Sequence, residues 1–328
     1  MSSIDVVVPC YNYGRYLSQC VRSVLSSEGP ETRVLIIDDC SSDDSAEIAA
    51  ALAESDHRIG LRRHTVNQGH IKTYNEGLDW ASSDYLLLLS ADDWVLPGAL
   101  GRAVEVLDAD PSVGFVWGPA LFVRDGQPTE PDEPPRPGWH VISGIEFLYS
   151  IAYRNIVHTC TAVVRTSVQK QVGGYLETLP HAGDLEMWMR IALHARVGYV
   201  NACQGVYRQH VSNMSTAYYR RMIADFEQRK IVLDTLFNNY PRQLEGLYDM
   251  LWGKLAEATM HAANDPFKRG DIEQFDELRN FASCVYPPIC KSRHWRLQTT
   301  KRVVGPKLWS YLRLAASPLG VLHPGGST

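Results

Sequence analysis

The chain has 328 residues, of which 45% are hydrophobic and 21% charged, and its formal net charge is −5. That length exceeds one ordinary domain of about 100–200 residues, and the composition excludes a disordered or fibrous chain. No apolar run reaches the roughly 18–20 residues that cross a bilayer and no secretory leader precedes the first strand pattern, so the expected compartment is the cytoplasm. The seven cysteines include no C-x-x-C pair, which points to reduced thiols rather than a disulfide frame or a structural zinc site.

Residues 4–9 (IDVVVP) form an apolar run of strand length, and Tyr16, Leu17, Cys20, Val21, Val24 and Leu25 then recur at helical spacing. Residues 33–38 (RVLIID) repeat the strand signal, and Ser42 or Asp43 is placed to cap a helix carrying Ile48, Ala49 and Leu52. A short strand is expected at 59–63, a helix at 71–80 and a strand at 85–89. Such alternation predicts an α/β fold with a mostly parallel sheet flanked by helices, the Rossmann-like architecture that binds nucleotides at strand ends. Residues 114–123 read as a further strand, and 126–138 (GQPTEPDEPPRPG) as a surface loop. Ser143 and Glu146 make a capping box for the next helix. Strands at 161–165 and 197–201 bracket a helix at 185–194. Beyond residue 215 the pattern is helical only, with stripes containing Tyr219 and Phe226, then Leu244 and Leu255, then Ile272 and Leu278; these read as core or interface.

The charge is unevenly spread. Seven Lys/Arg and no Asp or Glu follow residue 290, which leaves −12 on residues 1–290. An acidic body disfavours general nucleic-acid binding. The basic tail, with Trp295, Trp309 and Tyr311, is expected to pack on the body or on a second chain in a homodimer; peripheral contact with a membrane is its alternative reading.

Polar residues of complementary kinds stand at the strand ends. Residues 86–89 (LLLL) end in Ser90, Ala91, Asp92 and Asp93, a buried run that delivers carboxylates to its exit, where a divalent cation could be held. A helix cap ahead of residues 95–97 (VLP) explains the same acids, and the residues alone leave the two open. Pro9-Cys10-Tyr11-Asn12 follows the first strand, and Asp38-Asp39-Cys40-Ser41-Ser42-Asp43 the second. Asn67-Gln68-Gly69 and Asn75-Glu76-Gly77 flank the helix before the acids, and His181-Ala182-Gly183-Asp184 precedes the helix with Trp188 and Arg190.

In order and spacing these motifs (VPCYN, IIDDCSSD, NQG, YNEG, SADD, GDLEMWMR) resemble the inverting nucleotide-sugar glycosyltransferases of family 2, which have the GT-A fold; the likeness spans about residues 4–215. It implies a GT-A domain at 1–215, with a nucleotide half at about 1–110 and an acceptor half at about 111–215, followed by a helical region at 216–328. It implies a UDP- or dTDP-sugar donor and an Mn²⁺ or Mg²⁺ ion. Pro9, Tyr11, Asn12, Asn67, Gly69, Lys72, Asn75, Ala91, Asp93 and Arg208 would serve the donor. Asp38 or Asp39 would accept the ring N–H of the base. Asp92 would hold the metal, with His210 as a second candidate. Asp184 would act as general base, although capping of the 185–194 helix explains it too. His181, Glu186 and Trp188 would lie on the acceptor side.

The chain departs from the family pattern at two acids. Ser90 stands where D-x-D has its first carboxylate, and Gly183 replaces the Glu of a Glu-Asp doublet. With one carboxylate and a diphosphate as ligands, metal affinity without nucleotide is expected to be low. The departures also leave a catalytically inactive nucleotide-sugar binding or scaffold protein as an alternative. A nucleotidyltransferase is the other, although residues 9–15 (PCYNYGR) lack a basic, Gly-rich phosphate loop. The acceptor and the transferred sugar are not legible.

Overall fold

A computed structural model describes residues 2–26, 29–124, 138–211, 213 and 222–316. They belong to two compact units, Met1–Glu245 and Gly246–Thr328. The first opens with β1 (Ser3–Cys10), α1 (Gly14–Leu25), β2 (Glu31–Asp38), α2 (Ser45–Ser55), β3 (Ile59–Arg63), α3 (His70–Trp80) and β4 (Tyr85–Leu88). It continues through β5 (Trp94–Val95), α4 (Ala99–Ala109), β6 (Val113–Trp117), β7 (Ala120–Arg124), β8 (Trp139–Ile142), α5 (Gly144–Ile151), β9 (Val163–Arg165), α6 (Thr166–Val172), α7 (Gly183–Ala192), β10 (Arg196–Val200), β11 (Gly205–Gln209) and α8 (Met222–Asn239).

Among the described residues, eight strands form one sheet in the order β3-β2-β1-β4-β9-β6-β10-β8, and a small sheet has the order β5-β11-β7. Strands β1 to β4 are mutually parallel, whereas β9 runs antiparallel to both β4 and β6. Helices on both faces explain why β1 and β4 are apolar without alternation, since Val6, Val7, Val8, Leu86, Leu87 and Leu88 are all buried. The register pairs Cys10 with Asp38 and Val7 with Leu88. The C-terminal ends of β1, β2 and β4 therefore share one edge, and the loops that follow them meet there. Gly77 seats α3 on this sheet, because a Cβ there would run into the Val7 side chain.

The expected single strand at 114–123 is two strands in two sheets. Gly118 and Pro119 separate them, and the backbone carbonyls of Val200 and Ala202 crowd Gly118 too closely for a side chain. The α2 N-terminus is Asp44, without a side-chain cap; Asp43 instead accepts from the backbone N–H groups of Gly14 and Ser45. The Ser143/Glu146 capping box is formed. The first unit extends to Glu245 rather than 215, because α8 packs with the α/β body: the Arg229 guanidinium donates to the Ala152 carbonyl and His181 meets Asp225. The proline-rich segment 126–137 and Tyr219 lie outside the described residues.

The second unit is helical, with α9 (Tyr248–Ala262), α10 (Asn264–Arg269), α11 (Ile272–Val285), α12 (Arg293–Val304) and α13 (Pro306–Ala316). Asp271 caps α11 by accepting from the Gln274 N–H, and Leu251, Leu255, Phe267, Phe275 and Leu278 fill the core.

Candidate active site

A cavity of about 620 Å³ opens at the C-terminal edge of β1 and β4, a volume suited to a small-molecule ligand. Its lining includes Ser90, Asp92, Asp93 and His210 together with Asp184 and His181. The chain turns sharply after β4, with Asp93 N–H donating to the Ser90 carbonyl at 3.0 Å, and this presents two consecutive carboxylates to different partners. Asp92 Oδ1 accepts from the Ser90 hydroxyl at 2.5 Å, and its Oδ2 lies 3.0 Å from His210 Nε2. Asp93 turns inward to accept from the Arg208 N–H at 2.9 Å. Burial and the adjacent Asp92 charge push the Asp93 carboxyl well above the usual carboxylate range.

His210 stacks on Tyr16 at 5.3 Å, and its buried Nδ1 has no hydrogen-bond partner among the described residues. Asp92 and His210 thus offer an oxygen and a nitrogen side by side, a donor pair that fits a divalent cation needing further ligands from a diphosphate and water. Among the described residues no group of three or more His, Cys, Asp or Glu is arranged around one metal position.

Asp184 lies within the first turn of α7, and Ala182 is the N-cap. Its carboxylate does not cap the helix. Oδ2 accepts from the Thr159 hydroxyl at 2.9 Å, and the Tyr175 phenol is a second donor. Burial raises the Asp184 pKa, and these donors together with His70 and His181 offset it only partly. Tyr74, T-shaped against Tyr175 at 5.5 Å, is within electrostatic reach of both Asp184 and Asp92; burial and those charges keep its phenol protonated. His181 contacts Asp225 at 2.9 Å, beside Arg229 of the same α8 helix.

The expected nucleotide residues divide in two. Pro9 and Asp93 line the cavity. Tyr11, Asn12, Asp38, Asp39, Asn67 and Gly69 build the adjoining loops: Asn12, with φ +59°, accepts from the Ser42 N–H at 2.8 Å. Both Asp39 oxygens are occupied, by the Gln68 and Gly69 N–H groups at 2.8 and 2.9 Å and by His64 at 2.7 Å. Asp38 is buried, and among the described residues its Oδ2 has no hydrogen-bond partner, although Arg63 Nε lies 3.5 Å away in an ion pair.

Several expected residues lie outside the cavity. Lys72 is exposed on α3. Asn75 is a brace whose amide exchanges two hydrogen bonds with the Tyr175 backbone, at 2.9 and 2.7 Å. Ala91 is buried in the core. The Arg208 guanidinium lies between the Tyr16 and Trp94 rings, 4.4 and 4.6 Å from their centroids, and donates to the Asp92 carbonyl and Gln19, so it supports the acidic turn from below. Glu186, expected on the acceptor side, is buried against Arg190 at 2.8 Å. Trp188 is buried and stacks on Phe115 at 5.2 Å, because successive residues of one helix face different ways and α7 turns these two into the body.

Sequence reasoning missed Thr159, Tyr175, His70, Asp225 and the aromatic group Phe122, His158 and Tyr207, whose centroids lie 4.9 to 5.8 Å apart on the cavity wall. None carries a local motif. Tyr74 lies within the YNEG motif, which gave it no role of its own.

The sequence profile described as Glycosyl transferase family 2 matches residues 5–166, the stretch that carries β1 to β9 and the Asp92 turn. Residues 5–166 form a family 2 glycosyltransferase domain. An uncharacterised protein of Mycobacterium tuberculosis is 28% identical over 259 residues, covering 75% of this chain and 80% of that protein. Among solved structures, residues 1–349 of Staphylococcus aureus TarS in complex with UDP superpose with a TM-score of 0.64 at 15% identity, over 98% of this chain and 94% of that one. A mannosyltransferase of Pyrobaculum calidifontis in complex with GDP-Man and Mn²⁺ gives 0.50 at 17% identity, over 96% and 88%. The family 2 domain thus has the GT-A α/β fold that the motif resemblance implied, followed by helices, and the protein is a glycosyltransferase.

Proposed function

We propose that the protein is a metal-dependent, inverting glycosyltransferase that moves a sugar from a UDP- or dTDP-sugar to an acceptor hydroxyl or amine, with Asp184 as general base. The observation that carries this reading is Asp184 itself. It is a carboxylate in the first turn of a helix that it does not cap, facing the cavity that also holds Asp92 and His210. A raised pKa makes it a better proton acceptor than an ordinary carboxylate.

In the single displacement, the acceptor O–H or N–H gives its proton to Asp184 as the heteroatom forms its bond to the anomeric carbon. The bond from that carbon to the diphosphate oxygen breaks, and its electron pair leaves with the nucleotide. Thr159 and Tyr175 hold the Asp184 carboxylate toward the acceptor. Asp92 and His210 would hold Mn²⁺ or Mg²⁺, which when bound neutralises the leaving diphosphate. Arg208 and Ser90 fix the Asp92 turn in place. Asp38 or Asp39 would accept the ring N–H of a pyrimidine base; Asp39 is already spent on its loop, and Asp38 is buried with Arg63 3.5 Å away, so either would have to exchange a partner for the base.

The test is a thermal-shift panel of nucleoside diphosphates with and without Mn²⁺, paired with release of free nucleoside diphosphate from UDP- and dTDP-sugars. Stabilisation by UDP or dTDP that requires Mn²⁺, with slow donor hydrolysis, supports the assignment. Stabilisation without any hydrolysis or transfer identifies a binding module instead.

A further inference from the structure

The basic tail takes no part in the chemistry above. Its inward side is well used: the Gln298 amide donates to the Met260 carbonyl, Lys301 donates to Asn264 Oδ1 at 2.6 Å, and Arg302 pairs with Asp276 at 2.8 Å. Trp309 turns toward Lys301, with its ring 5.7 Å from the ammonium. The outward side of α13 is different. Leu308, Tyr311 and Leu312 recur at i, i+3 and i+4 and are 53%, 70% and 49% exposed, and Val303, just before the Gly305 bend, is 83% exposed. Within the helical unit nothing among the described residues covers them.

What covers this stripe is constrained by charge. Lys291, Arg293, Arg296 and Lys307 are exposed, and among the described residues none has a carboxylate within ion-pair distance. The segment after residue 290 contains no acid at all. A two-fold contact between copies through this face would set like charges against each other at close range. Three exposed residues at helical spacing, one of them a tyrosine, on an 11-residue helix that begins beside Lys307 in a segment with cations and no acid match the boundary between anionic headgroups and acyl chains.

We propose that α13 lies on an anionic phospholipid surface, with Leu308, Tyr311 and Leu312 entering the acyl boundary and Lys307, Arg293 and their neighbours meeting phosphate groups. The inference is independent of the catalytic reading, since vesicle binding needs neither donor nor acceptor.

The experiment is co-sedimentation of the full chain with vesicles of phosphatidylcholine alone or mixed with phosphatidylglycerol. Bound protein should be about tenfold higher on the anionic vesicles at low salt and should fall toward the neutral-vesicle level at about 0.5 M NaCl. The variant carrying Leu308→Glu, Tyr311→Glu and Leu312→Glu should lose this binding. The milder pair Lys307→Glu and Arg293→Glu should lower it several-fold, and each variant is compared with wild type by its melting temperature. Equal binding to both vesicle types overturns the proposal, as does wild-type binding by the pair. A concentration-dependent dimer that the triple variant dissolves assigns the face to a second copy instead.

Discussion

Asp5, on one side, and Asp93 and Asp184, on the other, are three acids of the α/β unit on which desolvation weighs, and they differ in almost every other respect. Asp5, near the start of β1, receives both nitrogens of an Arg33 fork at 2.9 Å, the Ser82 and Ser83 N–H groups at 2.7 and 2.8 Å and the Ser83 hydroxyl at 2.8 Å. Burial alone would raise its pKa, but these donors outweigh burial and hold the carboxyl below the usual range. Burial wins for Asp93 and Asp184, and their pKa values rise. The difference lies in the donor supply. An acid that is fully paired within the fold contributes stability, whereas one left short of donors retains affinity for a cation or a proton from outside.

The largest expected break in that contrast is Asp92→Asn. It removes the carboxylate beside His210 and should lower transfer by about 10³-fold or more, together with Mn²⁺-dependent stabilisation by UDP, while Asp93→Asn keeps part of the activity. Equal turnover of wild type and Asp92→Asn at saturating donor would remove Asp92 from the mechanism.

Next in size is Asp184→Asn, which should reduce turnover by roughly 10²-fold or more with donor affinity nearly intact. Its effect on stability has the opposite sign from loss of a helix cap. Because the folded-state pKa is raised, the wild type matches the variant at low pH and loses ground as pH rises through that value, so the variant should melt at the same or higher temperature near neutrality. A marked drop in melting temperature with unchanged specific activity would instead make Asp184 structural.

Asp5→Ala should act in the reverse manner. It strands the Ser82 and Ser83 N–H groups and costs about 2 kcal/mol, or about 4–8 °C in melting temperature, discounted because Arg33 is half exposed. Turnover per folded molecule should not change. Since the folded pKa is depressed, this contribution is present above the ordinary carboxylate value and disappears as pH falls through the lowered one, so wild type and variant should converge in acid.

The smallest effect sharpens the comparison. Thr159→Val deletes a donor that lowers the Asp184 pKa, so the acidic limb of the turnover profile should move to higher pH, with neutral-pH turnover down several-fold at most. A profile identical to wild type would show that Thr159 does not tune the base.

The sequence by itself determined the alternation of strands and helices, the double-faced burial of β1 and β4, the acids at the β4 exit, the Ser143/Glu146 capping box and the family. Each depends on neighbours within a few positions along the chain, where a period of two or 3.6 residues is directly readable. Only tertiary structure decided which acids are spent and which are available. His210 meets Asp92 across 118 positions, Thr159 meets Asp184 across 25, and the Gln68 and Gly69 N–H groups consume Asp39 from 29 and 30 positions away. The same holds for Arg208 and Glu186, whose charges point to ligands on paper and are buried against partners in the fold. Strand register and side-chain direction set these pairings, and neither is written in local periodicity.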